Sequence, residues 1–137
     1  MRVLIAPDKF AGTLTAVEAA AAIAAGWARQ APADELDLAP MSDGGPGFVD
    51  VLHAALGGEL RAVTVAGPFG DLVPATLLLI DGTAYVESAQ ACGLQLTRRE
   101  RAEEASSRGV GDLVRWAVDA GARRVVVGLG GSGTTDG

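Results

Sequence analysis

Asp8, Lys9 and Asp43 are the residues whose types and placement could most directly do chemistry. Asp8 and Lys9 stand just past the apolar run RVLIA (2–6), and Asp43 stands in the equivalent place past LDLAP (36–40). If those runs are parallel strands of one β-α-β unit, their carboxyl-terminal loops open on a common crevice, where open α/β sheets bind ligands. Topology alone then brings two carboxylates and an ammonium together. Lys9 is the one lysine among 11 basic residues. A compact, flexible ammonium suits a phosphate or a substrate carboxylate. The competing reading makes all three ordinary loop charges.

Glycine-rich segments supply the other candidates. In MSDGGPG (41–47), Ser42, Gly44 and Gly45 lead into a helix N-terminus, whose amides and dipole favour an anion. Ser42 or Asp43 could equally be a turn residue or a helix cap. SSRGVGD (106–112) offers the same choice, with Ser107 as a cap or its amides as a phosphate holder.

The closing stretch RRVVVGLGGSGTTDG (123–137) spells G-x-G-x-x-G at Gly128, Gly130 and Gly133. A dinucleotide loop needs an opening β-α-β unit and a later acid, and a phosphate loop needs lysine where Thr134 stands. Neither motif is complete. What remains is a turn whose amides at Gly130 and Gly131 can approach an anion, with hydroxyls at Ser132, Thr134 and Thr135 and a carboxylate at Asp136. That set suits phosphate with magnesium. Glu87, ending the apolar run TAYVE, is a further candidate for substrate or phosphate binding, because a carboxylate leaving such a strand needs a reason. His53 reads as a helix histidine and Cys92 as a small buried residue.

The elements that position these residues follow from periodicity. RVLIA reads as a strand buried on both faces. Thr15 and Glu18 form a capping box opening a helix with Val17, Ala20, Ile23, Ala24 and Trp27 on its buried side, which Pro32 ends. LDLAP is the next strand. A second helix runs from Gly47 to Leu56 with Phe48, Val51, Leu52 and Ala55 in register, stopped by Gly57 and Gly58. Residues 1–58 thus open a parallel α/β sheet.

Three strand-like runs follow without a helix, the last turn being Asp81-Gly82, a hairpin dipeptide. The switch to an antiparallel meander predicts a domain boundary near 60–66, giving segments 1–62 and 63–137. A polar linker (97–108), a helix with Val110, Leu113, Val114 and Ala117 on one face, a stop at Gly121 and a final buried strand complete the reading.

Composition narrows the function. Of 137 residues, 49% are hydrophobic and only 4% aromatic, which favours layered helices and parallel strands. A net charge of −6 repels a nucleic-acid backbone. The basic cluster Arg98, Arg99 and Arg101 is interleaved with Glu100, Glu103 and Glu104, as on a solvated mixed face. One cysteine excludes an internal disulfide and fits a reducing cytoplasm. The start MRVLIAPDKF has too short an apolar run to read as a signal peptide, and the alanine-rich stretch reads as too short for a membrane span.

The chain resembles the bacterial-type (type 1) glycerate kinases. IAPDKFAGTLTAVEAA is similar to their I-A-P-D-(S/K)-F-K-G-(S/T)-L start, PMSDGGPGFVDVL to A-D-G-G-E-G-T, VTVAGPFGD to V-T-G-P-L-G, and GLGGSGTTDG to G-I-G-G-S-A-T-N-D-G. DGTAYVESAQACGL and SSRGVGDLV match in order and spacing too. The resemblance covers the whole chain and implies a two-domain α/β enzyme, its first domain flavodoxin-like. Such an enzyme phosphorylates glycerate with ATP and magnesium in a cleft between domains.

Asp8, Asp43, Ser132 and Asp136 fall on matched positions, and Lys9 is a common variant at its own. The expected roles are an anion contact for Lys9, hydroxyl orientation or general base for Asp8, and magnesium for Asp43 or Asp136. The glycine loop is expected to hold phosphate. Three departures stand out: Ala11 replaces the usual lysine, Pro46 the usual glutamate and Phe48 the usual threonine. The family's chains are longer, so these residues are expected to be an N-terminal portion, inactive alone. The rival reading is a non-catalytic anion- or nucleotide-binding module.

Overall fold

RVLI and ELDL form β1 (Arg2–Ile5) and β2 (Glu35–Leu38), which pair in parallel with Arg2 opposite Glu35 and Ile5 opposite Leu38. This is the computed structural model of the chain, and it describes residues 1–98 and 100–136. Arg99 of the mixed-charge cluster lies outside the described residues. α1 (Ala16–Gln30) connects the two strands. Its capping box is made in both directions: Thr15 Oγ1 accepts from the Glu18 amide at 3.1 Å, and Glu18 Oε2 accepts from the Thr15 amide at 2.9 Å. The Met1 ammonium and Trp27 Nε1 donate to the two oxygens of Asp34 at 2.8 and 2.9 Å, tying the start of β1 to the end of α1.

α2 (Phe48–Leu56) leads to the second sheet, where β3 (Glu59–Ala66), β4 (Leu72–Ile80) and β5 (Thr83–Glu87) form the expected antiparallel meander. Asp81 and Gly82 both have positive φ, 46° and 75°, as a type I′ hairpin turn requires. Two short helices, α3 (Ala89–Cys92) and α4 (Leu94–Thr97), precede α5 (Arg108–Asp119) and β6 (Arg124–Gly128). β6 joins β5 in parallel, so the mixed sheet runs β3-β4-β5-β6. The architecture is a mixed α/β fold with one parallel pair and one mixed sheet.

Alternation on the meander sets the core. Val63, Val65, Val73, Ala75, Leu77, Ala84 and Val86 line one face and meet Ala91, Leu113 and Ala117 of the helices beneath. On the opposite face, α2 packs over β4 and β5, with Leu78 fully buried and the Phe48 ring 6.5 Å from the Tyr85 ring. α2 also touches α1, the helix that packs on the first sheet.

Five expectations are corrected. β1 is not buried on both faces: Leu4 is 67% exposed because helices cover only the Ile5 side of the two-stranded sheet. α1 buries Ala16, Ala19 and Ala20, while Val17, Ile23 and Trp27 stay exposed. Small residues let α1 approach its neighbours closely, and that rotates the larger ones outward. α2 buries Val49 and Val51, with Ala55 exposed. β6 is half-buried along most of its length, as the edge strand of its sheet, and the start of the expected linker is helical in α4.

Candidate functional site

The first two strands deliver their loops to one place. Lys9 Nζ donates to Asp43 Oδ1 at 3.0 Å and approaches Asp8 Oδ1 at 3.5 Å, while the Lys9 amide donates to Asp8 Oδ1 at 2.6 Å. The Lys9 side chain is 21% exposed, against 64% for Asp43. The hydrogen bond that it donates to Asp43 is the chief reason that the ammonium is held above the usual lysine range, with the Asp8 charge adding to it. The Gly45 amide, then Lys9, hold the Asp43 carboxyl below the usual aspartate range. Lys9 is therefore charged and already neutralised at physiological pH.

Asp8 and Lys9 line a cleft of about 740 Å³ together with the 10–15 turn, Met41, Pro46, Asp50, Leu94, Gln95 and Gly131. Ala11, where the resembling family carries lysine, lies on the same wall. Asp50 and Gln95 were not singled out from the sequence. Asp50 carries a weak signal as the acid in the first turn of α2. Gln95 has none, because α4 is too short to show a period.

The loop after β2 differs from an open anion cradle. The Gly44 amide donates to Ser42 Oγ at 3.1 Å, the Gly45 amide to Asp43 Oδ1 at 2.9 Å and the Phe48 amide to the Gly45 carbonyl at 3.1 Å. The Gly47 and Val49 amides donate to Glu87 Oε2 at 3.0 and 3.4 Å. Every amide from Gly44 to Val49 thus has a partner, Pro46 having none to offer. Glu87 is only 5% exposed and lies behind the loop, outside the cleft lining. Burial pushes its carboxyl above the usual glutamate range, opposed by the Val49 and Gly47 amides.

The loop after β6 packs backbone to backbone on the loop after β2. A methyl on Gly130 would come within 2.7 Å of the Gly45 nitrogen. Gly44, at φ +89°, faces Leu129 so closely that a β-carbon would stand 3.1 Å from its carbonyl oxygen. Among the described residues, no hydrogen bond engages the amides of Gly130, Gly131 and Ser132. Ser132 Oγ and Thr134 Oγ1 pair at 3.1 Å, and Thr135 Oγ1 donates to the Ala102 carbonyl at 3.4 Å.

Asp136 sits apart from the Lys9 cluster. Its carboxylate accepts from the Ser107 amide at 2.8 and 3.1 Å, which holds it below the usual range. Of the predicted residues, the structure brings together Asp8, Lys9 and Asp43, and brings Gly44 and Gly45 against Gly130, with Gly131 against Pro46 and Ser42 turned to the Gly44 amide. Glu87 braces this group from behind, and Asp136 belongs to the start of α5. Among the described residues, no three acids, histidines or cysteines cluster as a protein-built metal cage. Magnesium that arrives with nucleotide phosphates asks less, namely one or two carboxylates, and Asp43 or Asp136 fits that demand.

Comparison with known proteins places the chain. An uncharacterised protein of Mycobacterium tuberculosis (strain CDC 1551 / Oshkosh) is 54% identical over 143 residues, covering 100% of this chain and 37% of its own length. The glycerate 2-kinase of Escherichia coli K12 is 39% identical over 141 residues with the same two coverages. A crystal structure assigned provisionally to glycerate kinase 2 of Salmonella typhimurium LT2 matches with a TM-score of 0.76 at 36% identity, covering 99% of this chain and 37% of that one. The chain therefore spans 37% of the length of these relatives. The model of the glycerate kinase family matches residues 3–137, and with six ordered motifs and a shared fold behind that match, the chain belongs to the glycerate kinase family.

Proposed function

We propose that these residues are the N-terminal part of an ATP-dependent kinase that phosphorylates D-glycerate, with 2-phosphoglycerate as product. Residues 1–62 belong to its first domain and 63–137 open its second. The observation that carries this reading is the Lys9 ammonium held between Asp8 and Asp43 on the wall of the cleft. An anionic acceptor or phosphate entering there exchanges for a carboxylate already in contact with the charge, so little reorganisation is needed.

Phosphoryl transfer to a hydroxyl asks mainly for positioning and charge neutralisation. In this reading the glycerate hydroxyl attacks the γ-phosphorus and the bond to the β-phosphate oxygen breaks, releasing ADP. Asp8 takes the hydroxyl proton, and Lys9 and Asp43 fix the anion and the lysine. The amides of Gly130 and Gly131, with the hydroxyls of Ser132 and Thr134, offer donors to phosphate. Magnesium, when bound, screens the phosphate charge, and Asp136 is the carboxylate assigned to it. The setting is the cytoplasm, where the lone thiol stays reduced.

A coupled ADP assay with ATP and D-glycerate tests the reading in a chain of the relatives' length that carries these residues. Turnover with 2-phosphoglycerate identified by phosphorus NMR is expected, and none from residues 1–137 alone. Saturable ATP binding without turnover in the longer chain would instead favour a binding module.

A further inference from the structure

The geometry points to Glu87 as a positioning residue that holds the Asp43–Lys9 pair in place from the end of β5 in the second sheet. The N-cap of α2 is Gly47, which has no side-chain oxygen to cap the helix and makes no side-chain cap hydrogen bond. A bare N-terminus on a nine-residue helix would leave its first amides without partners. The missing acceptor comes from 40 residues away: Glu87 Oε2 takes the Gly47 amide at 3.0 Å and lies 3.4 Å from the Val49 nitrogen. It does the work of an N-cap, with its carboxyl facing the positive end of the helix.

The location makes this more than a cap. Glu87 is the last residue of β5 and pairs with Gly128 of β6, where the glycine-rich loop departs. Ser88, its neighbour, donates its amide to the Gly128 carbonyl at 3.0 Å. One residue thus fastens the β5–β6 edge to the start of α2. The loop that carries Asp43 runs directly into that start. Asp43 in turn holds the Gly45 amide and Lys9 Nζ at 2.9 and 3.0 Å. The line of contacts runs from Glu87 through the Gly47 and Val49 amides to the loop, then to Asp43 and Lys9. Glu87 is 5% exposed and outside the cleft lining, so it acts through the loop and not on a ligand.

This inference rests on the kinase reading for its consequence in turnover, but not for the brace itself. The test uses a chain of the relatives' length with Glu87→Ala, Glu87→Gln, Asp43→Ala and the Asp43→Ala/Glu87→Ala pair. Glu87→Ala is expected to lower kcat by about 10², the scale of a misplaced reacting group, with little change in KM. Hydrogen exchange of segment 44–49 should quicken. Glu87→Gln keeps an oxygen acceptor and should restore both exchange protection and most of kcat, which a purely electrostatic contact with reactants would not allow.

In the Asp43→Ala background, Glu87→Ala should cost less than about threefold, because coupled residues are not additive. Full additivity would overturn the inference. So would a Glu87→Ala chain with unchanged exchange over 44–49, or a Glu87→Gln chain as slow as Glu87→Ala while that segment stays protected. A parent chain with no turnover sinks the kinase reading alone, and the exchange comparison still decides the brace.

Discussion

Lys9 Nζ and Asp43 Oδ1, 3.0 Å apart, join two loops separated by 34 residues of sequence. The contact exists because β1 and β2 pair in parallel and end level with one another, Ile5 opposite Leu38. Each loop then needs only a few residues to bring its charge to the shared edge. Removing the ammonium leaves Asp8 and Asp43 facing each other without a counter-charge. In a chain of full family length, Lys9→Ala should lower kcat/KM by about 10² or more, as for one preorganised charge contact. Ala11 lines the same cleft, so Ala11→Lys should be tolerated and partly rescue the loss. Steady-state kinetics of the two single variants and their combination check this, and near-parental kinetics for Lys9→Ala would make the lysine a bystander.

The two aspartates separate by magnesium titration. Asp136 touches neither Lys9 nor the cleft wall, and its proposed role is at the metal. Asp136→Asn should raise the magnesium requirement, with a defect that shrinks as magnesium rises. Asp43→Asn weakens the hold on Lys9, so its loss of kcat should persist at every magnesium concentration. Curves run side by side decide, and two profiles matching the parent would remove both residues from the mechanism.

Asp34 provides a pH reporter far from the cleft. The Met1 ammonium, then Trp27, hold its carboxyl below the usual aspartate range. A carboxyl depressed by folding contributes stability that is present above its unfolded pKa and lost as pH falls through its folded one. With Trp116→Phe to silence the other indole, Trp27 emission should change as pH drops below the ordinary aspartate range. Asp34→Asn should abolish that step. A step that survives the substitution would assign it to another group.

The capping box gives a local stability test. Thr15 and Glu18 exchange hydrogen bonds at the start of a 15-residue helix whose large apolar residues are mostly exposed. Thr15→Ala should cost about 1 kcal/mol, within the usual range for losing a cap. Urea unfolding followed by circular dichroism measures it. A change under about 0.3 kcal/mol, well short of the usual cap range, would show that packing alone holds the helix start.

What the sequence shows and hides divides by range. The capping box, the Asp81-Gly82 hairpin and the parallel opening are legible because each is written within a few neighbouring residues. The meeting of Asp8, Lys9 and Asp43 is legible too, since strand order implies it. The buried face of α1 is not, because alanine and valine fit the same periodic pattern and only the neighbours choose between them. α3 and α4 are shorter than a helical period can reveal. Glu87 capping α2 and Asp136 capping α5 join residues 40 and 29 positions apart, and neither leaves a local mark.

The backbone packing of Gly130 on Gly45 bears on how this protein can be engineered. A combinatorial library aimed at new acceptor substrates would naturally randomise both glycine-rich loops around the cleft. Codons 44, 45 and 130 should stay fixed in such a library, since a side chain on one loop pushes directly on the main chain of the other. Diversity is better spent at Phe10, Ala11, Met41 and Gln95, which face the same space and of which Gln95 alone makes a side-chain hydrogen bond, to the Ala89 carbonyl at 2.7 Å.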